Sequence, residues 1–335
     1  MKGLELSRRF YFEAVRPILD RRFPGLEHAA ALIGSGSEVL GYDDDLSTDH
    51  HWGPRVLLFL PELAAAPEID KALAEELPTT FAGFATNFGP PDEIGVRLLV
   101  PVEDGPVAHR VELFELGEFL RVHVGRDARR GFTVEDWLAT PTQRLLQVTA
   151  GEVFADPIGE LTQVRERLAW YPHDVWLLVL AAHWSRIGEL EHFLGRTGAR
   201  GDELGSRLIA ASLVRYLMRL ALLQERRYPP YPKWLGTAYE QVGRPERETL
   251  ERALAADDWR TREDALVEAY EHAARRHNEL GLTDPIDPTA RRFHGRPFRV
   301  IGGDRFASAL RAAISDPAVR AVRDAAVPVD AAPLG

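Results

Sequence analysis

Ile33-Gly34-Ser35-Gly36-Ser37-Glu38-Val39-Leu40-Gly41-Tyr42-Asp43-Asp44-Asp45-Leu46-Ser47-Thr48-Asp49-His50-His51-Trp52 is the stretch whose reading decides the fold. The apolar run 29–33 just before it has the length of a short strand, and it delivers the chain into a turn of glycines and serines. Unblocked backbone N–H groups and a hydroxyl in such a turn can wrap phosphate oxygens. An acidic segment follows, and then residues 56–60 form a second apolar run closed by Pro61. Read as extended chain, residues 49–51 put Asp49 and His51 on one face and His50 on the other, because side chains on a strand alternate. Two candidate metal ligands thereby stand beside a phosphate turn, the pairing that phosphoryl-group transfer requires.

Outward from this stretch the first half mixes the two regular patterns. Residues 4–19 and 64–77 carry apolar side chains at helical spacing, residues 96–101 and 110–115 read as strands, and residues 134–148 return to a helix around Trp137 and Leu145. Residues 149–157 read as a connection. After them, no alternating run appears until 298–301, and helical patterns fill 161–170, 175–188, 204–225, 232–242, 246–256, 262–280 and 305–315. The expected organisation is therefore an α/β (α+β) domain with a mixed sheet over residues 1–150, followed by an all-α helical-bundle domain over 151–335.

Composition narrows the function classes. The chain has 335 residues, enough for two cores, and its net charge of −10 argues against a broad basic surface for nucleic acid. There is no cysteine, so disulfides, thiolate metal sites and a cysteine nucleophile are all excluded. No run of about 18 apolar residues occurs and the N-terminal segment reads as a helix rather than a signal peptide, so the expectation is a cytoplasmic protein with no membrane partner. Only three of the 41 basic residues are lysines: Lys2, Lys71 and Lys233.

The Gly-Ser turn, a variable spacer and an acid ahead of the next strand resemble the nucleotidyltransferase superfamily of the polymerase-beta kind. In that resemblance Gly36-Ser37, with Gly41 five residues on, stands for the phosphate turn, and Asp49 for the first of two acids separated by one residue. The string Leu46-Ser47-x-Asp49-His50-x-Trp52-Gly53-Pro54-Arg55, with Lys233-Trp234-Leu235-Gly236 and Arg296-Pro297-Phe298 downstream, is similar to a bacterial domain-of-unknown-function family with a nucleotidyltransferase-like N-terminal half and a helical C-terminal half. The resemblance implies a divalent metal (Mg or Mn), a nucleoside triphosphate as co-substrate, and transfer of a nucleoside monophosphate to an acceptor. One position departs from the pattern: His51 stands where a second carboxylate is usual, and imidazole is a poor ligand for magnesium, which prefers hard oxygen donors.

Asp49, His51 and Glu112 are the candidate metal ligands, with Asp49 and Glu112 as catalytic acids. Glu112 is preferred to Glu115, three residues away on the opposite face of the 110–115 strand, because its neighbours Val111 and Leu113 claim the apolar side. The plain alternatives are a solvated strand face for Glu112 and a neutral structural imidazole for His51. Asp43-Asp44-Asp45 reads as a solvated turn and His50 as a packed or hydrogen-bonded ring. Gly36, Ser37 and Lys233 are the candidate triphosphate contacts, Lys233 opening a helix whose N-terminus favours phosphate; its alternative is a surface lysine beside a packed tryptophan.

Arg215 and Arg219 sit one turn apart on an apolar helix, where they either pair with internal acids or line an anionic pocket as substrate contacts. Asp202 reads as the N-cap of that helix. The absence of interleaved aromatic and basic residues leans the acceptor towards a small molecule over RNA. A homodimer is compatible with the sequence, which does not fix the oligomeric state. The competing readings are a catalytically lapsed nucleotide-binding or regulatory protein on the same fold, motivated by His51, and a toxin-type helical ribonuclease, motivated by Arg186 and His192.

Overall fold

The computed structural model describes residues 1–335 apart from 45–51, 94, 244–246, 324–326, 328 and 330–335. Asp49, His50 and His51 lie outside the described residues. The chain forms two compact units, one of residues 1–132 and 144–169 and the other of residues 133–143 and 170–335.

The first unit opens with α1 (Gly3–Phe10), a π turn (Tyr11–Val15) and α2 (Arg16–Arg22), in effect one helix with a widened middle. Pro17 accounts for the widening. It cannot donate to the carbonyl four residues back, and the Arg16 N–H bonds instead to the Tyr11 carbonyl. The four-stranded sheet has the order β5-β2-β1-β6, with β1 (Ala29–Leu32), β2 (Arg55–Leu60), β5 (Arg110–Glu115) and β6 (Glu152–Ala155). β1 pairs antiparallel with β2 and β6, and β2 pairs parallel with β5, so the sheet is mixed as the pattern predicts. Between β2 and β5 come α3 (Ala66–Glu76) and a hairpin of β3 (Thr80–Phe81) and β4 (Phe84–Ala85).

All six residues of β2 are buried, so both faces of the sheet are covered. One face carries Ala30, Val56, Leu58, Val111 and Leu113 and packs against Phe10, Val15 and Ile18 of the N-terminal helices together with Ile69 and Leu73 of α3. The other carries Leu57, Phe59, Glu112 and Phe114, since the register pairs Leu57 with Glu112 and Phe59 with Phe114. It is met by Phe119 of α4 (Leu116–Val124), whose ring lies 5.1 Å from Phe59 and 5.5 Å from Phe114.

Three expectations need correction here. Residues 96–101 form no strand: Leu99 makes an isolated bridge to Phe88, and Pro101 has no N–H to continue a ladder. The 134–148 helix is two helices, α5 (Val134–Ala139) and α6 (Thr142–Thr149), because Pro141 lacks the donor and forces Thr140 to extended backbone. The 149–157 connection contains β6, four residues too short for its alternation to stand out between Gly151 and Pro157. After β6, α7 (Glu160–Leu168) closes the first unit.

The second unit is helical apart from a two-residue ribbon. It holds α5 with α8 (His173–Gly198), α9 (Glu203–Gln224), α10 (Pro232–Gln241), α11 (Arg247–Ala255), α12 (Trp259–Glu279), the ribbon β7 (Arg291–Arg292) and β8 (Arg299–Val300), α13 (Gly303–Ala313) and α14 (Pro317–Arg320). Asp202 caps α9 as expected, accepting from the Gly205 N–H at 2.7 Å. α8 is longer than the apolar run that announces it, continuing through Gly188 to Gly198. Among the described residues no helix is long and apolar enough to cross a membrane.

Candidate active site

The glycine turn leaves β1 at its C-terminal end, beside the first residues of β2 and β5. Gly34 hydrogen-bonds through its N–H to the Gln147 carbonyl at 2.8 Å and has φ +93°, a conformation that favours glycine. A Cβ there would lie 3.3 Å from the His123 ring of α4, so the turn and that imidazole are in close contact.

Gly36 has φ +134°, and a Cβ on it would fall 2.5 Å from the Glu38 carboxylate. Glu38 is held there by Arg55, the first residue of β2, at 2.6 Å, and the same guanidinium donates to the Ser35 carbonyl at 3.0 Å. Both side chains are almost wholly buried. A buried ion pair of this kind is rarely a net gain over apolar packing, yet breaking it leaves a bare charge in the interior, so it fixes the turn's shape. The turn is further closed by the Tyr42 N–H donating to the Ser37 carbonyl at 2.9 Å.

The acidic segment beyond the turn is not uniformly solvated. Asp43 is 3 % exposed and accepts from the Gly3 N–H at 2.7 Å and the Trp52 indole at 3.3 Å, with Lys2 at 3.6 Å. It therefore anchors the start of α1, where a carboxylate meets the positive end of the helix dipole, while Asp44 is exposed. That is a correction to the solvated-turn expectation for Asp43. The cause is that Trp52 and the N-terminal helix supply donors from far along the chain.

Glu112 lies mid-strand on β5, on the face opposite Val111 and Leu113, with its side chain partly exposed and 3.3 Å from Arg110. On the Phe119 side of the sheet, His123 of α4 approaches Gly34 and packs on Phe119, ring centroids 4.0 Å apart. Burial, and then the positive charge of Arg144, hold the His123 pKa below the usual imidazole range, while the Glu112 carboxylate pulls it upward. Glu115, on the other face, is engaged with Arg129 at 3.1 Å. Among the described residues no group of three or more His, Asp or Glu is placed to hold a metal ion. Glu112 is the one described member of the set Asp49, His51 and Glu112.

In the second unit, Lys233 stands exposed in the first turn of α10, its ammonium 4.9 Å from the Trp234 ring. Gln143 and Thr142 brace the chain just before that helix, Gln143 accepting from the Tyr231 N–H at 3.0 Å and Thr142 donating to the Pro229 carbonyl at 2.7 Å. Arg215 is exposed over Tyr216, whereas Arg219 is 2 % exposed, and its charge bears on the buried His183 and Tyr171. The two arginines thus occupy different environments. Arg186 is paired with Glu189 at 2.7 Å, and His192 stacks on Phe293 at 4.8 Å.

Reading the sequence alone leaves out His123, Glu38 and the role of Arg55. Arg55 had a visible signal, a charged residue opening an apolar strand. His123 had none, because it depends on the approach of α4 to the turn.

A family model described as a domain of unknown function, DUF4037, matches residues 137–235. No curated protein matches the chain. Among solved structures, the chain is similar to a nucleotidyltransferase-like protein from Exiguobacterium sibiricum, with 12% sequence identity over 89% of this chain and 97% of that one, at a TM-score of 0.30.

Proposed function

We propose that this protein is a metal-assisted nucleotidyltransferase that passes a nucleoside monophosphate from a nucleoside triphosphate to a small-molecule acceptor. The observation that carries the reading is the shared face of Glu112 and the glycine turn. β5 runs parallel to β2, the strand that follows the Asp49 segment, and its acid projects to the side where His123 meets Gly34.

In this reading Gly36 and Ser37 hold phosphate oxygens on the turn that Glu38 and Arg55 shape. Asp49 and Glu112, with His51, hold a divalent ion, which when bound neutralises the triphosphate and aligns it for in-line displacement. The acceptor's hydroxyl oxygen bonds to the α-phosphorus, the α–β anhydride bond breaks, and pyrophosphate leaves. Glu112 orients the hydroxyl and takes its proton. With an imidazole in the ligand set, manganese serves better than magnesium.

The test is pyrophosphate release by the full chain with each nucleoside triphosphate and a panel of phosphorylated, carboxylated and aminated alcohols, in magnesium and in manganese. Turnover that Asp49→Asn abolishes, with its melting temperature unchanged, supports the proposal. Tight triphosphate binding without release in either metal favours a lapsed, nucleotide-binding role, and neither binding nor release overturns both.

A further inference from the structure

The outer strand of the sheet, β5, borders an open cleft of about 670 Å³ whose lining includes Asp70, Arg97, His109, Arg110 and Glu112. Here the proposed catalytic acid meets open space together with a cluster of charged side chains. The Arg110 guanidinium is mostly buried, 3.3 Å from Glu112 and 5.7 Å from the Phe88 ring. Burial and the neighbouring charges of Arg55 and Arg97 press its pKa downward, while Glu112 opposes them.

Arg97 stands on an ordered ribbon rather than a loose loop. The Gly89 N–H donates to the Leu98 carbonyl at 2.8 Å, the Val100 N–H to the Asn87 carbonyl at 3.0 Å, and the Asp92 N–H to the Val96 carbonyl at 2.9 Å. Arg97 is half-buried and makes no ion pair or hydrogen bond to any described residue.

The cleft's other titratable groups are already answered. His109 accepts from the Val111 N–H at its Nδ1 (3.2 Å), and its Nε2–H donates to the Asp70 carbonyl at 3.1 Å. Asp70 has that Nε2–H 3.7 Å from its carboxylate, and Glu112 faces Arg110. The formal charges of the lining balance, but Asp70 is 64% exposed and solvated at the rim, which leaves the half-buried Arg97 as a guanidinium that no carboxylate among the described residues meets. A bound oxyanion fits its planar donor fork.

The cleft adjoins the phosphate turn: Arg55 of β2 binds the turn, Arg110 of β5 lies opposite Arg55 in the ladder, and Glu112 follows two residues further along the same edge strand. Building on the nucleotidyltransferase reading, we propose that the cleft binds the acceptor and that the acceptor is an anion, a small alcohol bearing a phosphate or carboxylate gripped by Arg97 and Arg110 with its hydroxyl turned to Glu112. The transfer is the one written above: the hydroxyl oxygen joins the α-phosphorus, its proton goes to Glu112, and pyrophosphate departs. The acceptor's anionic group takes no part in bond changes and serves to orient the hydroxyl.

Titration calorimetry on the full chain tests this with glycerol 3-phosphate, glycerate and glycerol as probes, and separately with a nonhydrolysable ATP analogue plus manganese. At least one anionic probe should bind while glycerol does not. Arg97→Gln should weaken that probe at least tenfold while leaving the analogue's affinity within twofold and the melting temperature unchanged. Arg97→Lys should recover part of the loss. Failure of both anionic probes to bind, or equal binding by Arg97→Gln, overturns the proposal. An equal loss of analogue and probe in Arg97→Gln also overturns it, because the cleft then serves the nucleotide. Arg97-dependent anion binding in a protein that never binds the analogue defeats the transferase reading and the acceptor assignment with it, leaving an anion site of another purpose.

Discussion

Arg55 is the residue on which the glycine turn depends, since its guanidinium joins Glu38 and the Ser35 carbonyl in a space closed to water. Arg55→Ala is expected to cost about 3–5 kcal/mol of stability, because it strands the Glu38 carboxylate. The double variant Arg55→Met/Glu38→Leu should recover most of that loss, and denaturant unfolding of the three proteins measures both effects. Additive losses in the double variant would show that the pair is not coupled. Glu112 behaves differently. Its side chain is 39% exposed, so Glu112→Gln should shift stability by less than about 1 kcal/mol while lowering turnover at least a hundredfold, read as pyrophosphate release against melting temperature. Glu112 was legible because Val111 and Leu113 on either side advertise the buried face. Asp43 was not, because its donors Gly3 and Trp52 arrive through tertiary packing that no local pattern encodes.

Among the elements, α13 packs on α8 through the stacked rings of Phe306 and Trp184, 4.3 Å apart, and its N-terminus is capped by one α8 side chain. Glu191 is 5 % exposed and accepts from the N–H groups of Ile301, Gly302 and Gly303 at 2.5, 3.0 and 3.1 Å, the start of the helix. Glu191→Ala leaves those donors buried without an acceptor and should cost about 3 kcal/mol or more, with hydrogen exchange accelerating first in residues 301–313. Uniform exchange across the helical unit would contradict that local assignment. Elements were legible where one period ran uninterrupted. β5 spans the residues its alternation predicts, and α9 to α12 fall within a few residues of their apolar spacing. α4 follows β5 without a linker and carries Val122 and Val124, which blur a helical signal that only its packing against Phe59 makes plain.

For the whole molecule, the two-part organisation shows in the sequence as a change of texture near residue 150, but the exchange of segments between the units does not. The pattern records local period, and the segments 133–143 and 144–169 are sorted by which core they pack against. The helical unit also sets how the protein responds to acid. Burial, reinforced by the charge of Arg219, brings the His183 pKa down to about 3, and burial brings His277 down to about 4. Both rings are neutral in the fold and take up protons near pH 6.5 once unfolded, so their stabilising contribution is lost as pH falls below 6.5.

Glu191 acts in the opposite sense. Burial pushes it up to about 7 against its three N–H donors, so the folded state holds the extra proton and loses stability as pH rises from the ordinary carboxyl range to 7. Two imidazoles outweigh one carboxyl. Stability should therefore fall by about 1 kcal/mol per pH unit between pH 6.5 and 5, seen as a declining melting temperature of the helical signal. A flat or rising profile would contradict the burial of the two rings.

The central claim is that the turn at Gly36-Ser37 and the acid at Glu112 serve one nucleotide. The most direct measurement is a crystal structure of the full chain with a nonhydrolysable nucleoside triphosphate and manganese, with the ion located by its anomalous signal. The expected result is phosphate density on the Gly36-Ser37 turn and a manganese ion held by Asp49 and Glu112. Manganese or triphosphate bound away from that turn, with Glu112 still paired to Arg110 alone, would contradict it.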